Sequence, residues 1–178
     1  MKQYLSDKEL KECQLEILKF IDRVCKENEI PYFVSYGTLI GAIRHKGFIP
    51  WDDDIDICLY REDYERFLNV VKELKDERYQ VLDYDSSDWY FQNFAVILDT
   101  DTVIEDHIKV KRHDTSVFVD VFPVERFDDI KVIDKAHLCA TLRMISYIQL
   151  QYVQYGDSKL KDFCRKIMWY LLRPVNPR

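Results

Sequence analysis

Gly37-Thr38-Leu39-Ile40-Gly41-Ala42-Ile43-Arg44-His45-Lys46-Gly47-Phe48-Ile49-Pro50-Trp51-Asp52-Asp53-Asp54-Ile55-Asp56-Ile57 is the stretch whose reading decides the fold. It closes with Asp52, Asp53, Asp54 and Asp56 almost side by side. Carboxylates this close repel, so they take up protons or face a cation that accepts their oxygens. The alternation Asp54-Ile55-Asp56-Ile57 predicts an extended strand, with both acids on one face and both isoleucines turned into a core. Cys58 and Leu59 follow directly, which reads as a buried strand rather than a solvated acidic loop. Two carboxylates on one face of such a strand can bind a hard divalent ion such as Mg2+. A calcium loop counted from Asp52 fails, because Ile57 stands where Gly is needed and Asp63 where Glu is needed. Upstream, Gly37-Thr38 predicts a turn into a short helix, Leu39 to about Arg44, whose backbone N–H groups can approach a phosphate.

Working outward, Ser6-Asp7-Lys8-Glu9 matches a capping box, and Leu10, Leu15, Ile17, Leu18, Ile21 and Val24 repeat at helical spacing after it. Ile30 to Ser35, broken from that helix by Pro31, reads as a strand, and Asp54 to Tyr60 as the next. Asp63 to Lys75 returns to helical period through Tyr64, Phe67, Leu68, Val71 and Leu74. Tyr79 to Asp83, Phe94 to Leu98, Val103 to Ile108 and Val117 to Val124 are strand candidates, with Asp99-Thr100-Asp101 as a hairpin turn between two of them. From about Ile130 the pattern is helical to Tyr155, then again from Ser158 to Leu172. The expected fold class is α+β: a mixed sheet flanked by helices over residues 1–128, carrying the chemistry, and a helical C-terminal section over 129–178. The two form one compact unit.

The 178 residues suit a single core, and 47% hydrophobic with 33% charged residues marks a globular chain rather than a disordered one. A net charge of −6 argues against a general nucleic-acid binder, which would present a basic surface. The five cysteines (Cys13, Cys25, Cys58, Cys139, Cys164) are scattered and include no CxxC pair, which favours reduced thiols over a disulfide framework or zinc site. No signal-peptide pattern opens the chain, and the segment Ala136 to Tyr155 holds Arg143 and glutamines, so no span is expected. The expected location is cytoplasmic, including the inner membrane face. Cys164 to Arg173 mixes Arg165, Lys166 and Arg173 with Ile167, Trp169, Leu171 and Leu172, which leaves peripheral membrane contact open beside the plainer reading of a packing helix with snorkelling basic chains.

Two aspartates rarely complete a catalytic metal site. Asp120, a lone acid in Val117-Phe118-Val119-Asp120-Val121-Phe122-Pro123, is the candidate third, because an unpaired charge in an apolar strand is costly. It can ligate a metal, accept the proton of an attacking hydroxyl, or form a structural salt bridge. Arg44, His45 and Lys46 either neutralise phosphate oxygens or simply end a helix with favourable dipole contacts. Trp51 and Tyr36 can stack a base or flank a cationic headgroup, and either serves equally well as core. His107 and His113 lack metal-ligand spacing, and no nucleophile elbow appears.

These stretches, with Ile30-Pro31-Tyr32-Phe33, Asp63-Tyr64-Glu65-Arg66-Phe67 and Phe118-Val119-Asp120-Val121-Phe122-Pro123, resemble the LicD family, which includes bacterial phosphocholine transferases and the fukutin-related proteins. The resemblance runs from about Leu5 to Val124. It implies a nucleotidyltransferase-type fold, in which Gly37-Thr38 is the phosphate-cradling turn and Asp54 and Asp56 are the metal-binding pair, holding Mg2+ or Mn2+ with Asp120. It further implies transfer of a phospho-substituent, commonly phosphocholine from CDP-choline, onto a hydroxyl of a cell-surface glycan or its lipid-linked precursor. Arg44, His45, Lys46 and Trp51 are then the donor-binding candidates. Ser35-Tyr36 departs from the small residues that many members carry before Gly-Thr, and the chain stops at Arg178 where members commonly run further. Nucleotidyl transfer with pyrophosphate release, and a non-catalytic nucleotide-binding or scaffold role, are the alternatives.

Overall fold

The computed structural model describes residues 4–87, 90, 92–104 and 115–125, together with the helical positions Leu160, Phe163, Cys164, Ile167 and Leu171. The chain enters through α1 (Asp7–Glu27), and the Ser6/Glu9 capping box is present: the Glu9 N–H donates to Ser6 Oγ at 3.4 Å and the Ser6 N–H to Glu9 Oε2 at 2.8 Å. Each bond satisfies an N–H that the first helical turn cannot pair internally. The elements that follow are β1 (Phe33–Val34), α2 (Tyr36–Arg44), β2 (Asp56–Tyr60), α3 (Arg61–Leu74), β3 (Tyr79–Leu82), β4 (Ala95–Ile104) and β5 (Thr115–Val124).

The strands form one sheet in the order β1-β2-β5-β4-β3. β2 and β5 run parallel and every other neighbouring pair antiparallel, so the sheet is mixed and the fold α+β. Alternation along the strands divides the sheet into two unlike faces. Ile57, Leu59, Val119, Val121, Ala95 and Ile97 form the fully shielded face, packed against Ile17, Phe20, Ile21 and Val24 of α1 and Tyr64, Phe67, Leu68 and Val71 of α3. The opposite face carries Asp56 and Asp120 in one row, with Val96 and Leu82 continuing that row across β4 and β3. Leu82, Tyr90 and Val96, flanked by Phe94, Leu98 and Phe118, make a smaller apolar cluster there.

Two expectations are corrected. Asp99-Thr100-Asp101 is not a hairpin turn: β4 runs straight through it, with a register shift between Asp99 and Ile104. Asp99 is wholly buried and held by a fork from Arg78, Nε to Oδ1 at 2.9 Å and Nη2 to Oδ2 at 2.8 Å, while the Thr100 N–H donates to the Arg78 carbonyl at 2.8 Å. The neutralised acid behaves as a strand residue. The strand expected over Ile30 to Ser35 contracts to Phe33–Val34, because Tyr36 already begins α2 and the Ile30 N–H is taken by the Cys25 carbonyl. Val103 and Ile104 belong to β4, whereas 105–108 and most of the expected C-terminal helices lie outside the described residues. Among the described residues no helix is long and apolar enough to cross a membrane.

Arg78 tests this arrangement. Arg78→Ala leaves the Asp99 carboxylate buried without its partner, and the expected loss is about 3 kcal/mol, the lower end for an orphaned interior charge because the Arg78 side is partly open to solvent. Urea denaturation measures it, and a loss under about 1 kcal/mol would show that the pair contributes no more than a surface bridge.

Candidate active site

The acid row follows from strand register. Asp56 and Asp120 are directly opposed Cα partners in the parallel β2–β5 pair, and the Asp120 N–H donates to the Ile55 carbonyl at 2.9 Å. Asp54 precedes β2 on the same side, since Ile55 between them is buried in the core. Asp54, Asp56 and Asp120 each present a carboxylate oxygen, and these oxygens all lie within 4.8 Å of one another. Three hard oxygen donors converging, with no cationic side chain paired to them among the described residues, fit a divalent ion such as Mg2+, which takes carboxylate and phosphate oxygens together.

Crowding and burial raise the proton affinity of all three acids. Burial, then the charges of Asp56 and Asp54, push Asp120 up to about 7. Burial, then Asp54 and Asp52, push Asp56 up to about 6, and burial with Asp52 and Asp53 raises Asp54. A cation in this place would relieve the same repulsion that protons relieve at lower pH.

The turn expected at Gly37-Thr38 is the first turn of α2, which starts at Tyr36. Its hydroxyl locks helix to strand: Thr38 Oγ1 accepts from the Asp56 N–H at 2.8 Å, and the Ser35 N–H donates to the Asp56 carbonyl at 3.1 Å. Ser35 makes no side-chain cap to α2, so the first-turn N–H groups, which have no intrahelical partner, are free of that competitor. Gly37 lies against Asp52: a Cβ there would come 2.5 Å from Asp52 Oδ2, a buried oxygen without a hydrogen-bond partner among the described residues, and the Asp52 carboxylate would have to shift. Gly41 is required by a close approach of backbone, since its Cβ would meet the Gly47 carbonyl oxygen at 2.5 Å.

α1 frames the acidic segment from the other side. Gln14 Nε2 donates to the Asp53 carbonyl at 2.7 Å, and Lys11 Nζ reaches the Pro50 carbonyl at 3.3 Å while standing 5.2 Å over the Phe48 ring. Both contacts span 39 residues of sequence and hold the segment before Asp54 in place.

Of the candidates read from sequence, Gly37, Thr38, Asp54, Asp56 and Asp120 come together. Arg44, His45 and Lys46 are exposed at the far end of α2, about 9 Å of axial rise beyond Thr38. Trp51 is 82% exposed, next to the acids in sequence. Asp52 had no assigned role, yet it packs against Gly37 and its charge acts on Asp54 and Asp56. The signal for it was the unbroken Asp52-Asp53-Asp54 run, which alternation alone left unsorted. His107 and His113 lie outside the described residues.

Residues 29–148 match the family model described as LicD/FKTN/FKRP, nucleotidyltransferase domain. The chain belongs to that family. Over 109 residues it is 41% identical to the lipopolysaccharide cholinephosphotransferase LicD of Haemophilus influenzae, covering 61% of this chain and 40% of that protein. The human ribitol 5-phosphate transferase FKRP is 38% identical over 48 residues, 27% of this chain and 10% of that one. An uncharacterized protein of Rickettsia prowazekii is 31% identical over 86 residues, 43% of this chain and 32% of the relative. The chain thus spans two fifths or less of the length of these curated relatives.

The raised carboxyls of this LicD-family domain give a signed prediction. Asp56 at about 6 and Asp120 at about 7 sit above the unfolded carboxylate value, so the folded state binds more protons and these groups cost stability as pH rises from about 4 to 7. Asp120→Asn removes the larger cost. In chelator, its thermal midpoint should exceed that of the parent at about pH 8 and converge with it near pH 4. A midpoint difference that stays constant across that range would show that Asp120 does not titrate as placed.

Proposed function

We propose that the chain is a metal-dependent phosphotransferase acting on a nucleoside-diphosphate donor and a glycan hydroxyl. The observation that carries this reading is the convergence of the Asp54, Asp56 and Asp120 oxygens within 4.8 Å, beside the first turn of α2, in a LicD-family domain. The relatives' names support the reaction class: a cholinephosphotransferase acting on lipopolysaccharide and a ribitol 5-phosphate transferase. The longer match to the first favours phosphocholine from CDP-choline, and a cell-surface glycan or its lipid-linked precursor as acceptor.

Asp54, Asp56 and Asp120 would hold Mg2+ or Mn2+, which when bound neutralises phosphate oxygens and makes phosphorus a better electrophile. The residues supply the rest. The α2 turn at Gly37 and Thr38 directs N–H groups at the diphosphate, where they receive the charge that develops on the departing phosphate. The acceptor oxygen bonds to the phosphorus bearing the headgroup, and the phosphorus–oxygen bond to the nucleoside monophosphate breaks. The acceptor proton passes to a carboxylate oxygen of Asp120, and the nucleoside monophosphate leaves with the bonding electrons. Arg44 and Lys46, flanking His45 at the outer end of α2, add positive charge to the approach of an anionic donor.

Asp54→Asn and Asp56→Asn should each lower kcat at least about a thousandfold with the fold retained by circular dichroism, because each removes one ligand from the set. The assay offers CDP-choline, CDP-glycerol, CDP-ribitol and nucleoside triphosphates with Mg2+ and identifies the small product. Release of CMP supports phosphotransfer. Pyrophosphate from a triphosphate would replace it with nucleotidyl transfer, and no metal-dependent product from any donor would leave only binding.

A further inference from the structure

Tyr36 opens α2 with φ at 48°, in the left-handed region that bulky side chains avoid and glycine enters freely. The chain does not recover that cost by burial, since the residue is 63% exposed. Its ring nevertheless has a packing partner. It stands edge-on to Phe122, with centroids 5.3 Å apart and planes at 74°, and Phe122 packs on Phe94 at 4.3 Å. Phe122 follows Asp120 by two positions on β5, so the aromatic row and the acid row lie on one face of the sheet. Strain of this kind persists where surroundings over-determine it, and it gathers at ligand sites. A solvent-facing ring packed on the sheet face that carries the converging carboxylates offers a stacking surface.

The direction of the donor says what would lie on it. In the phosphotransfer proposed above, on which this inference rests, the departing group is a nucleoside monophosphate whose phosphate gains charge at the first turn of α2. Tyr36 immediately precedes Gly37 on that turn, so its ring is the aromatic surface next in the chain to where that reaction puts the departing phosphate. We propose that Tyr36, braced by Phe122 and Phe94, stacks on the nucleobase of the donor's departing nucleoside monophosphate. Such stacking supplies affinity with little selection among bases, because every base presents a π face.

Calorimetric titration of CMP, CDP-choline and phosphocholine, each with Mg2+, tests the assignment on the parent, Tyr36→Gly and Tyr36→Phe. Tyr36→Gly should weaken CMP and CDP-choline alike by roughly five- to a hundredfold, with phosphocholine unaffected, while Tyr36→Phe keeps both nucleotides within about threefold of the parent. The thermal midpoint of Tyr36→Gly should equal or exceed that of the parent, since glycine relieves the backbone, so lost affinity cannot be lost folding. In turnover the same variant should raise the donor KM more than it lowers kcat. Equal CMP affinity in the parent and Tyr36→Gly would overturn the proposal, as would a loss confined to CDP-choline and phosphocholine, which would reassign the ring to a cationic headgroup. A parent that binds neither CMP nor CDP-choline would instead overturn the phosphotransferase reading itself.

Discussion

The parallel pairing of β2 with β5 is the constraint on which the rest depends. It sets Asp56 abreast of Asp120 on one face and Ile57 abreast of Val121 on the other. Burying the isoleucine side therefore forces the carboxylates together, and hydrophobic packing works directly against charge repulsion. A slip of one position in β5 would bring Val119 or Val121 to the acid row and send Asp120 toward the core. Core and acid row share one register, so a slip in it would disturb both together.

The surrounding contacts serve that pairing. β2 is gripped at Asp56 from both backbone directions, its N–H by the Thr38 hydroxyl and its carbonyl by the Ser35 N–H. α2 is thereby tied to the strand at the point where the acids meet, and its outer end is free to carry exposed basic side chains. Among the described residues, α1 and α3 pack on the other face with most of the apolar burial, while the acid face carries the small cluster around Leu82, Tyr90 and Val96.

Much of this was legible before any coordinates. Alternation at Asp54 to Ile57 gave the strand and the shared side of its acids, the Ser6/Glu9 box gave the start of α1, and Asp120 stood out as a charge in an apolar strand. Long-range partners were not legible. Asp99-Thr100-Asp101 has turn composition, and only Arg78, 21 positions earlier, turns Asp99 into a buried strand residue. Asp52 was uninterpretable because its role depends on Gly37 lying against it, a tertiary contact without local periodicity. Tyr36 read equally well as core or as site because neither its backbone conformation nor its exposure is encoded in spacing.

The bond from Gln14 to the Asp53 carbonyl, with Lys11 at Pro50, gives the amino-terminal helix a second duty. Besides roofing the core, it acts as a splint across a segment that its own charges would splay apart. Changes on that side of α1, remote from the aspartates along the chain, would then loosen the acidic segment before they disturbed the core.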